Sequence, residues 1–276
     1  MDVLPLQSGS SGNCTLVSAG GTSILIDAGL SGRKCADRLA AAGLGDRRID
    51  GLVISHDHSD HTASMGVLHR RFAAPIHITG PTLSRVTAKR CPGNVEVFHH
   101  FVAGSSFDIG ELRVETHSTP HDAVDGVCFV IEHRRTSLRF GLLTDLGHVF
   151  AGLKDLMPTL DAVLIESNYD FDMLRHSVYP RRLKDRIAGP KGHISNDDAA
   201  LLLDRHTGSH LQWACLGHLS DENNTPELAL ATARRRIKNR FKIHVADRYN
   251  ATEILTVRRA RRSRKSRAPR QLELAM

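Results

Sequence analysis

The sequence predicts a layered α/β fold, with sheets buried between helices. Three observations carry this expectation. Apolar runs are short and strand-like, as in Gly51-Leu52-Val53-Ile54. The chain opens with strands and then alternates helix and strand, less regularly in its second half. Polar residues capable of holding metal recur at expected strand ends, at positions 56, 121, 145 and 218, where open α/β sheets place their sites.

In order, Leu4 and Leu6 mark a first strand, and the Gly/Ser-rich stretch Ser8–Asn13 must be a loop. Residues 15–17 and 22–26 form a hairpin turning at Gly20-Gly21, and a helix over 33–43 closes at Gly43. Strand 51–54 leads into the histidine-rich turn, followed by helix 63–72, strand 76–78 and helix 81–90. Short strands fill 95–117, turning at Gly104 and Gly110. Strands 126–132 and 137–143 flank a turn at Arg134-Arg135, then helix 149–156 and strand 161–165 follow. Helices at 171–176, 180–188 and 195–206 precede strand 212–216, helix 226–239 and strands 242–246 and 252–257. No internal repeat of 20–50 residues is apparent.

Composition narrows the class. The chain has 276 residues, 41% hydrophobic and 24% charged, ordinary for a packed globular protein. No apolar run approaches the roughly 18 residues that span a bilayer, so no membrane partner is expected. Met1–Pro5 lacks a basic, apolar leader, and the five cysteines form no C-x-x-C pair. Both features favour a reducing cytoplasm. The net charge of +7 resides in residues 258–276, which hold eight Lys/Arg and one acid, leaving 29 of each sign in 1–257. The expected organisation is one domain over 1–257 and a basic, disordered tail over 258–276, either a DNA-phosphate contact or a solvated end.

The strongest chemical signal is Ser55-His56-Asp57-His58-Ser59-Asp60-His61. A tight turn leaving a strand sends alternate side chains toward one locus, and imidazole and carboxylate suit borderline divalent ions such as zinc. A polar loop chance-rich in histidine would not keep the H-x-H-x-D-H spacing. The turn offers four ligands, His56, His58, Asp60 and His61, and a two-metal site needs more. His121, Asp145 and His218 are the further candidates. Taken singly, they could be a turn histidine, a helix cap and a loop residue.

The ordered set H-x-H-x-D-H, His, Asp, His resembles the metallo-β-lactamase superfamily. The resemblance implies an αββα sandwich with two divalent ions, zinc or manganese. It implies His56, His58 and His121 at one ion, Asp60, His61 and His218 at the other, and Asp145 bridging both. Paired ions lower the pKa of a shared water, which would attack phosphorus, and clamp the oxygens around the displacement. Asp27 would either hold a ligand histidine from behind or stabilise its own turn.

Further segments narrow the resemblance: Ser8–Asn13, Asp27–Ser31, His121–Ala123, Glu166–Asp170, Gly192–Ala199 and His218–Asn224 look like the YycJ/WalJ-type bacterial nuclease group. It covers residues 3–257 and implies a 5′-to-3′ DNA exonuclease. Asp57 stands where glutamate is common in that group, at a position that is not a ligand, and Asp125-Gly126 departs from its usual proline-containing run.

Three substrate classes compete: nucleic acid, a small cyclic phosphodiester, and a thioester or lactone. Asp60 makes its metal site oxygen-rich, which suits phosphate chemistry but also occurs in thioesterase relatives. Asp60 and His193 are the catalytic candidates. His193, Ser195 and Asn196 are the phosphate-binding candidates, because Gly192-His193-Ile194-Ser195 opens a helix whose free N–H groups favour an anion. By resemblance, His193 would hold a phosphate oxygen or protonate the leaving oxygen. Ser195 could instead be a plain N-cap paired with Asp198. Ser8–Asn13 is either a nest of backbone N–H groups facing phosphate or a plain Gly-Ser turn. A binding module using metal only to fold fits poorly, since structural sites seldom combine a bridging acid with open positions.

Overall fold

The computed structural model describes residues 1–259. One sheet contains β1 (Asp2–Gln7), β2 (Cys14–Ala19), β3 (Thr22–Ile26), β4 (Gly51–Val53), β5 (Ile76–Thr79) and β6 (Phe98–Phe101). The other contains β7 (Ser106–Ile109), β8 (Leu112–Ser118), β9 (Val127–His133), β10 (Leu138–Leu143), β11 (Ala162–Glu166), β12 (Trp213–Gly217) and β13 (Lys242–Val245). A final short strand, β14 (Leu255–Thr256), returns to pair with β1.

Alternation along the strands decides the layering, because neighbouring side chains face opposite sides of a sheet. Ile24 and Ile26 of β3 join a core with Phe129 and Ile131 of β9, whereas Leu25 packs on the opposite face. Val53 faces the same inter-sheet core and Leu52 faces away from it. Leu25 and Leu52 meet Cys35 and Leu39 of α1 (Gly32–Ala41) and Leu68 of α3 (Met65–Phe72), which follows the single turn α2 (Ser59–Thr62). Val86 of α4 (Gly80–Lys89) joins the same layer.

On the far side, Val130 and Val163 pack on α5 (Ala151–Leu156), α8 (Asn196–His206) and α9 (Pro226–Ile237). Two short helices, α6 (Phe171–His176) and α7 (Arg181–Ile187), precede α8. Three cores thus separate four layers in the order helix, sheet, sheet, helix, as expected.

Each sheet follows one scheme. The pairings β14-β1, β1-β2 and β2-β3 are antiparallel, then β3-β4, β4-β5 and β5-β6 are parallel. In the second sheet β7-β8, β8-β9 and β9-β10 are antiparallel, then β10-β11, β11-β12 and β12-β13 are parallel. The unit repeated in architecture is half the chain, far longer than a solenoid repeat. It makes β3 and β10 equivalent, each the last antiparallel partner, and each is followed closely by an aspartate, Asp27 or Asp145.

The helix expected over 63–72 is α3, which begins at Met65, and the single turn α2 precedes it within the histidine-rich segment. The Ser64 N–H donates to the Ala28 carbonyl at 2.9 Å, a contact across the fold that turns the backbone out of one continuous helix. The basic tail expected from 258 lies, from residue 260 onward, outside the described residues. Among the described residues, no helix is long and apolar enough to cross a membrane.

Candidate metal centre

The ends of β4, β8, β10 and β12 meet at one edge of the sandwich, bringing all seven expected ligands together. His56, His58 and His121 form one group with ligand atoms within 4.8 Å of one another; Asp60, His61 and His218 form another, and His56, His61 and Asp145 a third. Asp145 lies between them. Its Oδ2 is 3.3 Å from His61 Nε2, and its Oδ1 is 3.6 Å from His121 Nε2 and 3.5 Å from His218 Nε2.

Backbone strain concentrates here. Six described non-glycine residues have positive φ, and three of them are Asp27 (62°), Asp145 (55°) and His218 (54°), each just beyond a strand. Such conformations cost about 1–3 kcal/mol each and persist where surrounding structure enforces them.

The imidazoles are aimed by contacts at their rear nitrogens. His61 Nδ1 donates to Asp27 Oδ2 at 2.7 Å, and His121 Nδ1 donates to the Gly192 carbonyl at 2.8 Å. His56 Nδ1 lies 2.9 Å from Ser55 Oγ, which itself donates to Asp27 Oδ1 at 2.8 Å. Asp27 therefore both stabilises its turn, accepting the Ser55 N–H at 2.8 Å, and orients His61. His58 differs, turning Nδ1 toward His121 Nε2 at 3.3 Å.

The charge balance suits cations. Burial holds His56 well below the usual imidazole range, leaving a neutral ring. Burial would also lower His61 and His218, but acids outweigh it: Asp27, Asp60 and Asp145 push His61 well up, and Asp145 with Asp60 and Glu166 push His218 up to about 10. A pocket that draws protons onto buried histidines has surplus negative charge, which divalent ions would neutralise. The buried atoms His56 Nε2, Asp145 Oδ2 and His218 Nε2 have no hydrogen-bond partner. Orphaned buried polar atoms are costly in a folded protein, and metal coordination, which would displace the proton from His218, would satisfy these three.

The phosphate candidates divide. His193 reaches the cluster, its Nδ1 2.5 Å from Glu166 Oε1 and 3.8 Å from Asp145 Oδ1. Ser195 is the N-cap of α8 in a capping box: its Oγ donates to Asp198 Oδ2 at 2.7 Å and accepts the Asp198 N–H at 3.1 Å. Asn196 is buried in an amide ladder, accepting from Ser167 Oγ at 2.6 Å and bonding Asn224 at 2.9 Å. Their side chains are thus engaged away from the cluster. In Ser8–Asn13, the N–H groups of residues 8, 9, 12 and 13 all have acceptors within the protein. Asn13 donates to Asp60 Oδ2 at 3.2 Å and fastens the loop to the histidine turn.

The sequence pattern does not single out Glu166 as a site residue. It is wholly buried and links His193 to His218, 3.5 Å from His218 Nδ1. Its Oε2 accepts the Leu146 and Ile194 N–H groups, each at 3.2 Å. Burial would raise this carboxyl, but His193 beside it outweighs burial and holds it down at about 2. The available signal is its place at the end of Ala162-Val163-Leu164-Ile165. A wholly apolar parallel strand is buried on both faces, so an acid ending it meets protein.

Two facing sheets with a His/Asp cluster at their edge define a metal-dependent hydrolase of the metallo-β-lactamase kind, and the profile of the Metallo-beta-lactamase superfamily matches residues 8–136. The relatives are more particular. The chain is 35% identical over 229 residues to exodeoxyribonuclease WalJ of Streptococcus pneumoniae, covering 82% of this chain and 84% of that protein. It is 31% identical over 258 residues to exodeoxyribonuclease YycJ of Bacillus anthracis, covering 90% of this chain and 96% of that protein. The metallo-β-lactamase fold protein YhfI of Bacillus subtilis superposes with TM-score 0.69 at 15% identity, over 91% of this chain and 99% of that one, a likeness of fold. The chain belongs to the WalJ/YycJ family of the metallo-β-lactamase superfamily.

Proposed function

We propose that this protein is a two-metal phosphodiester hydrolase acting on DNA as a 5′-to-3′ exonuclease. The observation that carries the reading is the pooling of seven His and Asp side chains, three of whose buried ligand atoms have no hydrogen-bond partner, in a chain whose relatives over most of its length are named exodeoxyribonucleases. His56, His58 and His121 would hold one divalent ion, zinc or manganese, and Asp60, His61 and His218 the other, with Asp145 shared. Bound there, the ions would supply Lewis acidity toward the phosphate oxygens and activate water.

The chain's own groups complete the chemistry. Asp60, kept in place by Asn13, would supply negative charge to the second ion. Glu166 fixes the His193 ring through Nδ1, which leaves Nε2 to hold a nonbridging phosphate oxygen or to deliver a proton to the leaving oxygen. Ser195 and Asn196 act at one remove: the cap and the amide ladder moor the segment that carries His193.

The test uses purified protein with manganese or zinc, offered 5′-labelled double-stranded DNA, a cyclic phosphodiester and a thioester. Stepwise release from the DNA 5′ end is expected. Turnover of the thioester alone would overturn the reading, and turnover of the cyclic diester alone would reassign the substrate. Asp145→Ala should lose metal binding and hydrolysis together.

A further inference from the structure

A groove of about 530 Å³ opens beside the cluster, sharing His58 and Asp60 with it and lined further by Asp57, Lys89, Arg90 and Arg186. Its size falls in the range of pockets that enclose small ligands. Its charge is unbalanced. The last turns of α4 bring Arg85 and Lys89 onto one face, and both lean on the carboxylate of Asp57, buried beneath them: Lys89 Nζ is 2.7 Å from Asp57 Oδ2 and Arg85 Nε is 3.9 Å away. Lys89 remains half exposed, with two further N–H donors.

Next to it, Arg90 donates to the Ala63 carbonyl at 3.3 Å and has no carboxylate partner among the described residues. On the opposite wall, Arg186 Nε donates to Asp122 Oδ2 at 2.6 Å, leaving both terminal nitrogens of its guanidinium free of that bond. Three cations, Lys89, Arg90 and Arg186, thus line the groove with two acids, Asp57 and Asp60, of which Asp60 belongs to the proposed metal centre, while Arg85 and Asp122 stand behind the lining as partners of Asp57 and Arg186. An acyl substrate would need none of this surplus, whereas a phosphate takes several Lys and Arg donors at once.

We propose that this groove is a second phosphate subsite, holding a phosphate of the nucleic-acid strand adjacent to the scissile one through Lys89, Arg90 and Arg186. The assignment rests on the phosphodiesterase reading above. The phosphate is either the terminal 5′-phosphomonoester or the next internal diester, which share the same recognition chemistry.

The test compares full-length wild type with Arg90→Ala/Arg186→Ala and with Lys89→Ala, using Lys89→Arg as the conservative variant and circular dichroism melts to establish folding. Fluorescence anisotropy of chelator-treated protein with labelled oligonucleotides, 5′-phosphorylated or 5′-hydroxyl, reads binding without turnover. The double variant should bind about tenfold more weakly, as loss of charge-assisted contacts implies. Its salt slope should flatten by about one per phosphate contact removed. In metal-loaded protein, KM for DNA should rise more than kcat falls, and the loss on DNA should exceed that on bis(p-nitrophenyl) phosphate. Lys89→Arg should restore what Lys89→Ala loses.

Loss of a preference for the 5′-phosphorylated strand assigns the terminal phosphate, and equal loss on both strands assigns the internal one. Folded variants with wild-type affinity and KM, or with equal losses on DNA and the small diester, overturn the subsite. Wild-type protein that leaves DNA intact instead sinks the nuclease reading, whatever the variants do.

Discussion

His61 has no exposed surface, and its aim depends on one carboxylate. Asp27 holds Nδ1 from behind while Nε2 faces the cluster, the arrangement that fixes ring orientation and raises ligand basicity in metal sites. Asparagine tolerates the left-handed backbone at this position and still offers an oxygen to Ser55. Asp27→Asn should therefore fold, yet bind divalent metal about 10–100-fold more weakly. A chelator-dye competition measures this, and unchanged affinity would reduce Asp27 to a turn residue. The four ligand candidates of the histidine turn were legible because histidine and aspartate at that spacing have few other uses, whereas His121, Asp145 and His218 were legible as ligands only through the order of the whole set. Asp27 was legible only as an alternative, because an acid after a strand suits a turn equally well. Glu166 was not, because its function depends on His193 and His218 arriving from distant segments.

At the scale of the element, the start of α8 was readable as a helix but ambiguous as a site. Free N–H groups at a helix start attract anions, but here two of the first three have partners: the Asn196 N–H donates to the Tyr169 carbonyl at 2.9 Å and the Asp198 N–H to Ser195 Oγ. Asp197 and Asp198 add negative charge to the same turn. Ser195→Ala should then act as a lost cap, costing about 1 kcal/mol and lowering Tm by about 2–4 °C. Ser195→Thr should recover most of the loss. Unchanged Tm with a raised KM for DNA would return Ser195 to the phosphate. Elements set by local pattern, such as β9 and β10, fall where their apolar runs and the intervening turn place them. The separate turn α2 ahead of α3 was not legible, because the Ser64–Ala28 hydrogen bond that parts them joins segments whose proximity only the finished fold creates.

Across the whole molecule, the layered architecture was readable because short apolar runs bounded by turns mark the strands one by one, whereas the pairing of two like halves is a relation between sheets that no local window contains. That pairing has a thermodynamic consequence. The proposed ligands come from both halves: His56, His58, Asp60 and His61 follow β4 of one sheet, and His121, Asp145 and His218 follow β8, β10 and β12 of the other. Metal bound there would tie the sheets together and would have no equivalent site in the unfolded chain, so its binding energy adds to folding. At free metal about a thousandfold above Kd the gain is about 4 kcal/mol, or about 8–16 °C in Tm for a chain of this size. A thermal melt with chelator should therefore fall well below one with added manganese or zinc. In Asp145→Ala the difference should largely vanish, since the carboxylate shared by both halves is gone. Coincident melts of chelated and metal-loaded wild type would mean that the cluster binds no ion tightly, and the two-metal assignment would fall with it.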